Sequence, residues 1–157
     1  MARLAGPRDV EELASLYESA LNGLLAQRGG ALFGAEFALE EPVAETLARL
    51  IEDPTCCVVV GAYNNAVVGL ALVHVAEPRH GEGSDQGIVR VFYVDSGARN
   101  VGVGEAMLNE VVAWCESRGC VGLSVPVPPG AREAKSFFEE MAFRARLLVM
   151  HRDLGTQ

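Results

Sequence analysis

Residues 88–105 read Ile-Val-Arg-Val-Phe-Tyr-Val-Asp-Ser-Gly-Ala-Arg-Asn-Val-Gly-Val-Gly-Glu, and this is where the chain's chemistry is concentrated. The run Ile88 to Val94 is apolar, aromatic and β-branched and reads as a strand. The amphipathic stretch after Gly102 reads as a helix. A helix start carries four backbone N–H groups without intrahelical partners and the positive end of the macrodipole, so a glycine-bearing loop feeding one is a seat for an anion. Gly102 and Gly104 remove the side chains that would hold a bulky diphosphate away from the backbone, and either tolerates positive φ. No Gly-Lys-Ser/Thr follows, so this is not a nucleotide P-loop. The third glycine and the downstream acid of the dinucleotide fingerprint are also missing.

Few other side chains offer chemistry. His74 sits late in an apolar, strand-like run and titrates nearest neutrality. It reads either as a general base or as a hydrogen-bonded core histidine. Tyr93 is the second nominee for a base, against the usual fate of a strand tyrosine, which is to pack. Glu77, His80, Glu82 and Asp85 lie in a polar, glycine-rich loop and would act through water if at all. Arg90 lies an even number of residues from Phe92 and Val94, so alternation puts it on their face unless a bulge intervenes. There it binds a carboxylate on a substrate, or simply reaches solvent. Cys56, Cys57, Cys115 and Cys120 have neither metal-ligand spacing nor a disulfide pattern, so reduced thiols and no metal are expected.

The elements that must position these groups follow from periodicity. A short strand at residues 3–5 precedes a helix over 8–26, in which Val10, Leu13, Leu16, Tyr17, Ala20, Leu21 and Leu24 recur at helical spacing. Residues 27–38, with three glycines, are expected as loop, where Phe33 and Phe37 either line a pocket or pack. A second helix spans 41–51 and stops at Asp53-Pro54. Residues 56–63 and 66–76 are strands joined by Asn64-Asn65, a pair that accepts the left-handed conformation of a tight hairpin. After the glycine loop, Val103, Met107, Val111, Trp114 and Cys115 mark one helical face ended by Arg118-Gly119. A strand over 121–125, a helix over 131–141 and a final strand over 147–150 complete an α/β chain with a mixed sheet.

The chain has 157 residues, half of them hydrophobic and 22% charged, which suits one globular domain over 1–157. A net charge of −8 gives no attraction to nucleic acid or anionic lipid. No apolar run approaches a membrane span and no leader pattern opens the chain, so a cytoplasmic location is expected. A homodimer is left open.

The order Arg99-x-x-Gly102-x-Gly104, five residues after an apolar strand, resembles the Q/R-x-x-G-x-G/A motif of the GNAT superfamily of acyl-CoA-dependent N-acyltransferases. Ala134-x-x-Phe137-Phe138-Glu139-Glu140-x-Ala142-Phe143 is similar to that family's A-x-x-F-Y-E-x-x-G-F stretch, and the ending from Val149 to Leu154 is similar to the closing strand of many members. The resemblance covers essentially the whole chain and implies a mixed central sheet flanked by helices on both faces. It implies acetyl-CoA or another acyl-CoA as co-substrate, with the pantetheine arm against Phe92, Tyr93 and Val94. The pyrophosphate would rest on the amides of Asn100, Val101, Gly102, Val103, Gly104 and Glu105, with Lys135 or Arg99 supplying positive charge.

The implied reaction is direct attack of an amine, on a small molecule or a protein, at the thioester carbonyl. That needs a base and an oxyanion donor, and commonly an acid for the thiolate. Here the chain departs from the pattern. The family's tyrosine falls at Phe138, its asparagine at Ala131, and its glutamate base at Ile88 or Arg90. A thiolate leaves without assistance more readily than most groups, so the missing acid slows the reaction rather than forbidding it. The alternative is a degenerate member that binds acyl-CoA as a sensor or structural module without turnover.

Overall fold

A computed structural model describes residues 1–76 and 85–155; the side chains of Leu32, Phe33, Ala35 and Glu36 lie outside that description. Five strands form one sheet in the order β1 (Ala2–Leu4), β2 (Cys56–Tyr63), β3 (Ala66–Ala76), β4 (Gln86–Val94), β5 (Gly122–Ser124). The first four are antiparallel neighbours and β5 runs parallel to β4, so the sheet is mixed. The β2–β3 hairpin turns on Asn64 and Asn65, with φ of 51° and 65°, the left-handed pair that a two-residue turn demands.

Alternation along the strands divides the apolar residues between two faces. Val58, Val60, Leu70 and Leu72 face α1 (Val10–Leu25) and α3 (Val43–Glu52), where Leu13 and Leu47 are fully buried. The Tyr17 hydroxyl accepts a hydrogen bond from the Leu39 N–H at 2.7 Å, so the one polar atom of that buried ring is satisfied. Cys57, Val59, Ala71, Val73 and Val89 face α4 (Val103–Ser117) through Val103, Met107, Val111 and Cys115. Gly61 and Gly69 are paired across β2 and β3, and a Cβ at either would run into the Met107 side chain. The close approach of α4 to the sheet depends on both.

α5 (Arg132–Glu140) docks on the same face as α4 through aromatic rings. Phe92 stacks on Phe137 at 5.5 Å, and Phe138 meets Phe92, Phe137 and Phe143 edge-on at 5.2–5.3 Å. Such geometry adds to the stability that ring burial already provides.

Three expectations are corrected. Residues 27–38 are not all loop, because α2 (Gly30–Phe37) occupies most of them. Its glycines serve packing: a Cβ on Gly30 would strike the Leu24 carbonyl, and one on Gly34 would press on Leu25. The expected strand at 147–150 does not form; residues 144–154 carry no strand, and Leu147, Leu148, Val149 and Met150 are 73–86% exposed. The alternation argument for Arg90 fails as well. Leu72 pairs with Val91 but Val73 pairs with Val89, so Arg90 is the extra residue of a β-bulge.

Candidate active site

The sheet comes apart at one place. Gln86, Gly87 and Ile88 pair with Gly122, Leu123 and Ser124, and then β5 ends while β4 continues to Val94. From Val89 onward the edge of β4 that faces β5 has no ladder partner among the described residues, over ~20 Å of strand. A free backbone edge of this kind receives an extended ligand as a sheet receives an added strand. The carbonyl of Val94, at its far end, accepts a hydrogen bond from Arg99 Nε at 3.0 Å.

The glycine loop lies just beyond that far end. Gly102 is the N-cap of α4, with φ +87°, a conformation a side chain would strain. It brings no side chain to cap the helix. The first backbone bond at this end is from the Ala106 N–H to the Gly102 carbonyl at 3.0 Å, and among the described residues no protein group accepts from the amides of residues 100–105. These donors are therefore available together at the positive end of a fifteen-residue helix, which fits a diphosphate. Gly104 has a different reason: a Cβ there would meet the Phe137 ring at 3.3 Å. Glu105 is exposed.

The two cations expected near phosphate are engaged with acids. Arg99 holds Glu133 of α5 at 3.2 Å and sits 5.9 Å from the centre of the Tyr93 ring. Lys135 pairs with Glu139 at 3.0 Å, one turn along the same helix. Both pairs are solvent-exposed, so each holds its cation only weakly. The Arg99–Glu133 pair was not legible from sequence, since the two are brought together only by the docking of α5.

At the closed end of the gap the neighbours are different. His74 pairs with Ile88 on one side and Cys56 on the other, on the face covered by α1 and α3. Its Nδ1 is buried and has no hydrogen-bond partner. Burial, and after it the positive charge of Arg90, lowers the His74 pKa below its usual value, so the ring is neutral at pH 7. The positive charge of Arg90 acts on both His74 and Cys56. Tyr93 pairs with Leu70, four residues along β3 from His74 and so ~13 Å away by strand rise. The two nominees for a base thus occupy opposite ends of the gap.

Phe138 is 5% exposed and belongs to the aromatic cluster behind β4. Phe33 lies on α2, and its side chain falls outside the described residues, as do Glu77, His80 and Glu82 entirely. All four cysteines are free. Burial holds the thiols of Cys57 and Cys115 up to about 12, which makes them poor nucleophiles. Among the described residues no group of three or more His, Cys, Asp or Glu could hold a metal ion, and no helix is long and apolar enough to cross a membrane.

The family model for the acetyltransferase (GNAT) family matches residues 15–143. No curated protein matches the chain at a significant level. Among solved structures, a single-residue mutant of the BH1408 protein from Bacillus halodurans superimposes with a TM-score of 0.81 at 17% identity, covering 98% of this chain and 99% of that one. A ribosomal-protein-alanine N-acetyltransferase from Brucella melitensis biovar Abortus 2308 gives 0.72 at 19%, covering 99% of both chains. The aminoglycoside acetyltransferase meta-AAC0020 from an uncultured soil metagenomic sample, in complex with sisomicin, gives 0.70 at 18%, covering 100% of this chain and 96% of that one. These likenesses extend the fold to the whole chain. With most of its length matched by the family model, the chain belongs to the GNAT acetyltransferase family.

Proposed function

We propose that the chain transfers an acetyl group from acetyl-CoA to an amine acceptor, and that the wedge between β4 and β5 is where it does so. The observation that carries this reading is the conjunction of a free β4 edge with the uncapped amides of residues 100–105 at its far end. Acetyl-CoA supplies an acyl thioester, a carbonyl activated towards amines. With a diphosphate on the α4 amides, an extended tail along Val94, Phe92 and Val89 runs toward the closed end of the wedge. The Val89–Val94 edge fixes that tail by backbone hydrogen bonds, and the Phe92–Phe137–Phe138 cluster walls it on the α4 side.

The closed end is where His74 and Arg90 lie, so His74 is the base of choice over Tyr93. A neutral imidazole takes the proton from the acceptor ammonium, and the lowered pKa keeps it neutral at working pH. Arg90 has no hydrogen bond or ion pair among the described residues, which leaves its charge for a carboxylate on the acceptor. No hydroxyl stands at Phe138, so the thiolate leaves with a proton from water. Holding amine and thioester together then supplies a large share of the acceleration.

The same missing hydroxyl favours a second reading, an acyl-CoA-binding module without turnover. One experiment separates the two: calorimetry with acetyl-CoA, followed by thiol release across a panel of small amines and peptides with free amino groups. Binding with release on at least one amine supports the enzyme. Binding with none supports the module, and absence of binding rejects both.

A further inference from the structure

The C-terminal end of α4 brings two of the chain's four free cysteines together. Gly119, with φ +79°, reverses the chain there. The Gly119 N–H donates to the Glu116 carbonyl at 3.0 Å, and the Cys120 N–H donates to the Cys115 carbonyl at 3.0 Å. With the left-handed glycine, these two bonds make a Schellman motif, which commonly sets the side chain just past the turn against the one five residues before it. In most such caps two apolar residues meet. Here both are cysteines.

Their surroundings are unequal. Cys115 is 3% exposed in the core under α4, and its sulfur lies so near β4 that a Cβ on Gly87 would come within 2.8 Å of it. Burial pushes its thiol up to about 12, so it stays protonated. Cys120 is only partly buried, and both cysteines line a shallow groove between α4 and β5. The Cys120 thiol acts on that of Cys115 through charge and a side-chain hydrogen bond. An accessible thiol beside a sheltered one is the arrangement of a redox pair, in which one sulfur meets the oxidant and its neighbour resolves the product.

We propose that Cys115 and Cys120 are a hydroperoxide-sensitive modification site that closes to a disulfide across the α4 cap. The Cys120 sulfur attacks the O–O bond of the hydroperoxide and keeps one oxygen as a sulfenic acid; the other leaves with the thiol proton, as water when the oxidant is hydrogen peroxide. The Cys115 sulfur then attacks the sulfenic sulfur, the S–O bond breaks, and hydroxide departs with the Cys115 proton as water. Two thiols lose two electrons and one peroxide gains them, and a dithiol reverses the change. The bond fastens α4 to the segment that enters β5, where the Val121 N–H donates to the Asp85 carbonyl at 3.1 Å. It lies at the end of α4 opposite the glycine loop and is independent of the acyl-transfer reading.

The test treats the reduced full chain with millimolar hydrogen peroxide and then with dithiothreitol. Thiol titration of the denatured protein is expected to fall from four per chain to two and then to return to four. Trypsin cuts after Arg118, so peptide mapping should find Cys115 and Cys120 on two peptides joined by the new bond. Cys115→Ala is expected to stop at the sulfenic acid, which dimedone labels at Cys120. A wild type that keeps all four thiols overturns the proposal. So does a map that joins any other pair or two chains, or one that shows Cys120 oxidised past the sulfenic acid with Cys115 still free. A Cys115→Ala chain with an unchanged far-UV spectrum and no label at Cys120 overturns it as well. If that variant unfolds, the wild-type map decides alone.

Discussion

Ile88 of β4 stands in parallel register with Ser124 of β5, and no pair follows it. Everything ascribed to the wedge depends on that last pair. On one side of it the sheet is continuous, and on the other, among the described residues, β4 has no ladder partner as far as Val94, whose carbonyl holds Arg99 Nε at the entrance to the glycine loop.

Gly102 is the position at which the anion seat is most directly removed. With φ of +87°, any side chain costs about 1–2 kcal/mol of stability, and a carboxylate adds charge of the wrong sign among the α4 amides. Gly102→Glu is expected to melt a few degrees lower with an unchanged far-UV spectrum and to lose acetyl-CoA binding by at least a hundredfold in calorimetry. Affinity within a factor of two of wild type would place the diphosphate elsewhere.

Arg90 has two separable effects. Its charge contributes to lowering the His74 pKa, so Arg90→Ala lets that pKa rise toward the ordinary histidine value. A base must be unprotonated, and the rising limb of kcat/KM against pH is therefore expected to move to higher pH in the variant and to vanish in His74→Ala. Acceptors carrying a carboxylate should also lose affinity in Arg90→Ala, while acetyl-CoA affinity holds. A pH profile identical to wild type would remove His74 from the chemistry.

Asp9 gives an independent handle on the fold. Both its oxygens accept from the Arg3 guanidinium at 2.8 Å, and the Gly6 N–H adds a third bond at 2.8 Å. Against desolvation, these hold its carboxyl well below the usual range, at about 2. A pKa lower in the folded than in the unfolded chain means stability that is complete above the unfolded value near 4 and lost as pH falls from there to about 2. Because Arg3 is half exposed, Asp9→Asn is expected to cost only about 1–2 kcal/mol at pH 7. Urea unfolding at pH 7 and at pH 2.5 should show the difference shrinking at the lower pH; a constant difference would mean that the carboxylate's charge is not its source.

Particular residues show what the sequence could and could not reveal. The β2–β3 hairpin was legible to the residue because alternation and Asn64-Asn65 agree. α4 was legible because Val103, Met107, Val111 and Cys115 keep a helical period. α2 was hidden by Gly29, Gly30 and Gly34, which resemble loop punctuation. In the fold they admit the chain to a helix and let it pass close to Leu24 and Leu25. Arg90 could not be assigned a face, since one extra residue in β4 reverses the count and nothing local announces a bulge. The apolar run 147–150 was recognisable as strand material, but a strand needs an edge, and composition does not say whose. In the site, the glycine loop was legible as an anion seat, whereas the Arg99–Glu133 pair and the ~13 Å between His74 and Tyr93 are products of tertiary register.

The wedge is tested most directly by following backbone amide resonances while acetyl-CoA is added to the full chain. The expected result is a saturable set of shifts confined chiefly to residues 89–94, residues 100–105 and the facing aromatic cluster, with the amides of Gly102 to Glu105 moving most. Saturable binding that leaves those amides unmoved and perturbs another surface would contradict the assignment of both the diphosphate seat and the β4 edge.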